Sequence, residues 1–180
     1  GTAVEDECGV CNGDNACLVA SLGLGAFDAS GSLEVTYDFG GPVAGFQFSV
    51  SGLNLTGASG GAAGNTDFTV QTGDQVVIGF SFTGQTISAG SGILTILSFD
   101  DVVDAETYIW LGSGALTGPG GNEYEADVSG YISHGDPDCA GNYYGDAELD
   151  ECGDCGGDGI DEGACDCAGN VDLGCGCGED

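Results

Sequence analysis

The chain has 180 residues, 30 of them acidic, with no lysine or arginine and one histidine, for a formal net charge of −30. That balance excludes a basic surface for nucleic acid, phosphate or anionic lipid, and any lysine-based isopeptide crosslink within the chain. It also requires that the carboxylates stay spread in solvent or meet external cations, and calcium, a hard oxygen-seeking ion, is the leading candidate.

Cysteine and acid content divide the chain into three segments: 1–17, a cysteine-rich acidic half-repeat; 18–130, free of cysteine; and 131–180, cysteine-rich acidic repeats. The ten cysteines are Cys8, Cys11, Cys17, Cys139, Cys152, Cys155, Cys165, Cys167, Cys175 and Cys177. Spacings such as Cys8-x-x-Cys11 and Cys152-x-x-Cys155 admit zinc knuckles. A lysine-free, glycine-rich, acidic chain favours disulfides in an oxidising, extracellular setting. No apolar run approaches the length of a membrane span, about 18 residues, so no membrane insertion is expected. No signal peptide opens the sequence, which reads as a mature or excised portion of an exported protein.

In chain order, the middle segment shows strand-like alternation at Leu33–Tyr37, Gly45–Val50, Phe68–Val70, Gln75–Phe82, Gly92–Phe99 and Thr107–Leu111, punctuated by Gly, Ser, Asn and Asp. No stretch has convincing helical periodicity. Short, regularly spaced strands over about a hundred residues predict an all-β, jelly-roll-like two-sheet sandwich, flanked by loop-rich segments held by disulfides and calcium.

The two ends share a repeat. Gly1-Thr-Ala-Val-Glu-Asp6-Glu7-Cys8-Gly-Val-Cys11-Asn-Gly13-Asp14 recurs as Gly145-Asp-Ala-Glu-Leu-Asp150-Glu151-Cys152-Gly-Asp-Cys155-Gly-Gly157-Asp158. A shorter unit, Asp138-Cys-Ala-Gly-Asn142, returns as Asp166-Cys-Ala-Gly-Asn170. Closely spaced acids on a turning backbone supply the six to eight oxygens that calcium takes. Asp146, Glu148, Asp150 and Asp154 fall at relative positions 1, 3, 5 and 9, with Asp158 at 13 and Asp161 beyond it. Glu151 stands where an EF-hand has glycine, so the expected loop is EF-hand-like in logic only. Asp6 and Asp14 form the thinner N-terminal copy. Asp100, Asp101, Asp104 and Glu106 make a second acidic cluster after a strand.

Nothing points to catalysis. His134 lies beside Ser133 without a nucleophile elbow and reads as a surface or calcium-adjacent imidazole. Trp110 and Tyr108 read as core or interface aromatics rather than a sugar platform. Asn54-Leu-Thr56 fits a glycosylation sequon and admits glycan attachment.

Four stretches of the middle, Leu24-Gly-Ala-Phe-Asp, Leu33-Glu-Val-Thr-Tyr, Pro42-Val-Ala-Gly-Phe-Gln-Phe-Ser-Val and Ile87-Ser-Ala-Gly-Ser-Gly-Ile-Leu-Thr-Ile-Leu-Ser-Phe, resemble cohesin-type domains. The resemblance spans about residues 18–130 and implies a nine-strand, non-catalytic jelly-roll that mediates protein association. The family's usual Tyr-Asp-Pro after the second long strand is absent. The flanks resemble thrombospondin type 3 repeats, which implies calcium wrapped by a disulfide-linked, loop-rich chain.

Three cysteines at one end and seven at the other are both odd numbers. Full pairing within the chain therefore requires a bond between the ends; otherwise an intermolecular bond or a free thiol follows. The motif at Gly1 also starts halfway through. Both features fit a subunit of an extracellular fibre or surface assembly, stabilised by calcium and disulfides and joined head to tail with copies of itself. The alternative is a cohesin-like adhesion module of a larger surface protein, binding another surface protein.

Overall fold

The computed structural model describes residues 4–6, 18–172, 174, 176 and 177. The chain divides into two compact units, Gly1–His134 and Gly135–Asp180. Among its described residues the first carries eleven strands: β1 (Val19–Asp28), β2 (Ser32–Phe39), β3 (Gly45–Val50), β4 (Leu53–Ser59), β5 (Thr69–Gly73), β6 (Val76–Phe80), β7 (Gly90–Val102), β8 (Glu106–Trp110), β9 (Leu116–Thr117), β10 (Glu125–Ser129) and β11 (Tyr131–Ser133). They form two sheets. One has the order β10-β1-β2-β7-β4; the other runs β11-β8-β3-β6-β5, with β9 also pairing β3. β10 lies parallel to β1, and the other pairs are antiparallel. The architecture is the expected all-β, two-sheet sandwich. Nine strands span five or more residues; β9 and β11, of two and three residues, are short additions to that set.

The alternation read from sequence decides which side chains face inward. Leu33 and Val35 of β2, Phe46, Phe48 and Val50 of β3, Val77 of β6, and Leu94 and Leu97 of β7 are buried between the sheets. Along β2, β3 and β6 their neighbours face outward, as the two-residue period of a strand requires; in β7 an irregularity in pairing leaves Leu94 and Thr95 both buried. Burying this apolar set is the main favourable term in the unit's folding.

Both sides of the sandwich are closed by chain that passes from one sheet to the other. On one side, β10 leads into β11 through Gly130, whose φ of +94° suits glycine. On the other, β4 leads to β5 through α1 (Gly61–Asn65), a single turn that buries Ala63. The sequence shows no helical periodicity there because one turn is too short to display any. Its position is set by contact: a Cβ on Gly61 would come within 2.5 Å of the Leu94 carbonyl oxygen on β7.

Polar groups inside are matched. Thr95, fully buried, donates its hydroxyl to the Ser59 carbonyl at 3.3 Å. No buried side-chain nitrogen or oxygen among the described residues lacks a partner.

Gly79 of β6 faces inward, and the Phe46 ring occupies the space a side chain would need, 2.0 Å from an added Cβ. Phe46 in turn stacks on Phe68 at 6.0 Å and lies 5.9 Å from Phe48. Gly79→Ala would displace that cluster. The expected cost is about 1–3 kcal/mol, the usual range for overpacking a core, read as a lower urea midpoint with an unchanged slope.

Candidate functional site

The second unit has no regular strands among its described residues, only the bridges Leu149–Cys155 and Asp172–Cys177. Disulfides take the place of a core. Cys139 bonds Cys155, Cys152 bonds Cys167, and Cys165 bonds Cys177, with sequence separations of 16, 15 and 12. The loops overlap, because each bridge encloses one end of the next. Closing a loop of roughly 15 residues restricts the unfolded chain by about 3 kcal/mol in the chain-entropy account. Cys8, Cys11, Cys17, Cys175 and Asp14 lie outside the described residues.

Between the bridges, one aspartate organises each loop. Asp138 accepts the N–H groups of Ala140 and Asn142 on Oδ1, both at 2.9 Å, and that of Ala147 on Oδ2 at 3.2 Å. Asp150 repeats the offsets with Cys152 (2.9 Å), Asp154 (2.8 Å) and Gly159 (2.9 Å). Asp166 accepts from Ala168 and Asn170, both at 3.0 Å, and from the Asn170 side-chain amide at 2.7 Å. Asp172 holds the N–H groups of Gly174 and Gly176 at 2.7 and 3.2 Å.

Glycine is required twice in this loop. Gly141, Gly153 and Gly169 turn the chain at φ of +89°, +85° and +78°. Farther on, a Cβ at Gly145 or Gly157 would fall 2.0 or 2.2 Å from the Oδ2 of Asp138 or Asp150. Residues 138–147 and 150–159 are therefore two copies of one loop, Asp-x-x-Gly-Asn/Asp-x-x-Gly-Asp-Ala/Gly. The repeats read from sequence pair Asp138 with Asp166 and Asp6 with Asp150, so the likeness of 138–147 to 150–159 emerges only from the structure.

Of the residues assigned to a calcium loop, Asp146, Glu148, Asp154, Asp158 and Asp161 are exposed, whereas Asp6 and Asp150 are half-buried. Both carboxylate oxygens of Asp150 are engaged by backbone N–H groups. Among the described residues, no three His, Cys, Asp or Glu side chains converge closely enough to hold a metal ion. In the other acidic cluster, Asp100 and Asp101 lie within β7, Asp104 follows it, and Glu106 starts β8. Asp100 accepts a hydrogen bond of 2.6 Å from the Asn54 side chain, which sits on β4.

Backbone donors hold the loop carboxyls below the ordinary aspartate value of 3.8. The Asn142 N–H leads for Asp138, the Asp154 N–H for Asp150, and the Asn170 side-chain amide for Asp166. Hydrogen bonding to the charged form favours that form. A depressed carboxyl contributes stability that is fully present above the unfolded value of 3.8 and is lost as pH falls through the lower folded value. Acid titration followed by NMR should therefore move the amides of Asn142, Asp154 and Asn170 with midpoints below pH 3.8. Midpoints at or above 3.8 would contradict the assignment.

His134 is 6% exposed, so it is not the surface imidazole that was one of the two expectations. Its Nε2 lies 2.8 Å from the Thr107 hydroxyl, and its ring is 5.0 Å from that of Phe27. Burial lowers its pKa, with the Asp104 charge opposing. The residue fastens the end of β11 to β8, and the alternating pattern of Tyr131–Ser133 is too short to have shown that strand.

The two outer faces of the sandwich differ in charge. Rows of paired residues on the β10-β1-β2-β7-β4 sheet place Asp127 beside Ser21 and Asp38, and Glu125 and Glu34 share that face. On the other sheet, Trp110 pairs with Ser49 and Ser49 with Val76; the next row is Gln47, Ile78 and Gln71; the last is Gly45, Phe80 and Thr69. Tyr108 lies opposite Tyr131 with rings 5.9 Å apart. Glu106 is the one acid on this face's strands, and the Tyr108 hydroxyl donates to it. Trp110 and Tyr108 are thus outward-facing, 41% and 44% exposed, rather than part of the core. At one end of the face, Leu53, Val76, Val103 and Trp110 line an open hollow of about 490 Å³.

No known protein family matches the sequence, and no curated protein does. A solved structure with a similar fold is a non-cellulosomal cohesin from the hyperthermophilic archaeon Archaeoglobus fulgidus. It is 16% identical, with 61% of this chain and 86% of that chain covered, at a TM-score of 0.43.

Proposed function

We propose that this chain is a non-catalytic extracellular structural module that assembles with protein through the neutral face of its β11-β8-β3-β6-β5 sheet. The observation that carries the proposal is the charge contrast between the two faces. In a chain with net charge −30, an approaching protein of like charge is repelled from nearly every surface. The exception is a sheet face bearing tyrosine, tryptophan, isoleucine and amides. Aromatic enrichment with charge depletion is also what distinguishes the centre of protein interfaces. Three overlapping disulfides fit an oxidising, extracellular setting.

In this proposal the module is a subunit of a fibre or surface assembly stabilised by calcium and disulfides, with copies joined head to tail. Calcium enters as the external cation that offsets the carboxylates, and the charge balance supports it. A second reading, an adhesion module of a larger surface protein, uses the same face. The exposed Tyr108, Tyr131 and Trp110 favour it, since such anchors serve a foreign partner equally well.

Sedimentation velocity and electron microscopy at rising protein concentration test the proposal. The expected outcome is concentration-dependent assembly in calcium, loosened by chelator with reductant. The pair Ile78→Glu and Tyr131→Glu should weaken assembly while leaving the thermal midpoint unchanged, because both side chains are outward-facing. A chain that stays monomeric at every concentration overturns self-assembly and leaves the face to a different protein.

A further inference from the structure

The sequon Asn54-Leu-Thr56 has no part in the proposed assembly. It lies on β4, the edge strand of its sheet. Asn54 and Thr56 are both exposed, whereas Leu53 is buried and Leu55 half-buried. The acceptor amide and the hydroxyl that is read with it therefore both reach solvent. Pairing with β7 is irregular on either side of Leu55, so Thr56 sits where the ladder is interrupted. β4 also carries no charged residue and no proline. Edge strands are ordinarily kept from pairing with another chain by charge, proline or cover, and a bulky hydrophilic substituent here would be cover.

Asn54 is itself part of the lining of the open hollow beside Trp110. That lining is apolar on Val76, Val103 and Trp110 and polar on Ser49, Asp74 and Gln75. A concave, mostly apolar surface with a few polar groups is the usual form of a small-ligand site, and about 490 Å³ is within the usual range. The mixture suits a pyranose ring, whose C–H face packs on an indole while its hydroxyls donate to a carboxylate or an amide. Such a ring is neutral, so it meets Asp74 without repulsion. Covering Trp110 and Val103, 41% and 56% exposed, would take apolar surface out of water.

We infer that Asn54 carries an N-linked glycan whose first sugar ring covers the hollow beside Trp110. In the transfer, Asn54 Nδ2 attacks the anomeric carbon of a sugar held on a polyprenyl diphosphate. The new C–N bond forms, the bond from that carbon to the diphosphate oxygen breaks, and Nδ2 gives one of its two protons to a base of the transferase. The second N–H remains, so the 2.6 Å hydrogen bond to Asp100 Oδ1 survives the modification. With that N–H tied to β7, the sugar takes the other position on the nitrogen and its direction is restricted. The modification stands independently of the proposed assembly and occupies only the end of the face at Trp110.

The full chain purified from its native source tests this. Without lysine or arginine, it is cut with an acid-specific protease. The peptide holding Asn54 should carry a saccharide mass that a glycan-cleaving amidase removes. Asn54→Gln and Thr56→Ala, made in that source, should each abolish the mass, whereas Thr56→Ser should retain it. Trp110 is the only tryptophan of the chain, so its fluorescence reports on the hollow alone. Acrylamide, a neutral quencher, should quench the glycosylated chain less than the Thr56→Ala chain, which keeps Asn54 but lacks the sugar. An unmodified Asn54 would overturn the inference outright. A glycan that leaves the quenching of Trp110 unchanged would overturn its seat in the hollow. Neither result bears on self-assembly, which sedimentation reads separately.

Discussion

Thirty carboxylates without one lysine or arginine to face them constrain everything else in this molecule. In most domains, surface acids gain a little from neighbouring cations and buried acids are rescued by them. Here neither remedy exists, and the structure answers in two ways. Within the sandwich, acids are placed at strand ends, in turns and on one outer sheet face. Within the C-terminal unit, selected aspartates turn inward onto their own loops, where backbone N–H groups do what cations do elsewhere. Asp138, Asp150 and Asp166 each gather such donors at repeated offsets. A carboxylate so held is stabilised in its charged form without any counter-ion of the chain's own.

That arrangement also explains the covalent frame of the second unit. A segment with few apolar side chains cannot bury enough surface to offset its conformational entropy. Aspartate-centred turns fix local geometry, and the overlapping bridges Cys139–Cys155, Cys152–Cys167 and Cys165–Cys177 link successive turns. The two devices are complementary: hydrogen bonds shape each loop, and disulfides limit how far the loops separate when those bonds open.

In the sandwich the same constraint has a different result. Keeping acids off the inner faces leaves an apolar core of ordinary composition, while segregating them to one outer face leaves the opposite face nearly neutral. The neutral face carries Trp110, Tyr108, Tyr131 and Ile78 in contact with solvent. Charge segregation of this kind raises no requirement for a pocket with reactive groups. It suits the proposed association with another protein, since interface centres are rich in aromatics and poor in charge.

Much of the fold was legible because strands announce themselves by period. Leu33–Tyr37 and Gly45–Val50 alternate cleanly, Gly92–Phe99 is rich in apolar and β-branched residues, and they fall in β2, β3 and β7. β4, β10 and β11 were not, because few of their residues are buried and they sit at sheet edges, where packing asks little of side chains. The loop aspartates were visible as a repeat, but their role was not. Spacing alone does not show that backbone amides close on Asp138 and Asp150, or that Gly145 and Gly157 lie against them. By itself the sequence determined the class of fold, the division between core and braced loops, and the exclusion of partners that need a basic surface, since these follow from period, composition and charge. Tertiary structure alone decided that the acids gather on one face, that His134 is buried against Thr107, and that Phe82 stands out at a strand end. Those facts depend on which residues pairing brings side by side across strands, and pairing across long sequence separations leaves no local trace.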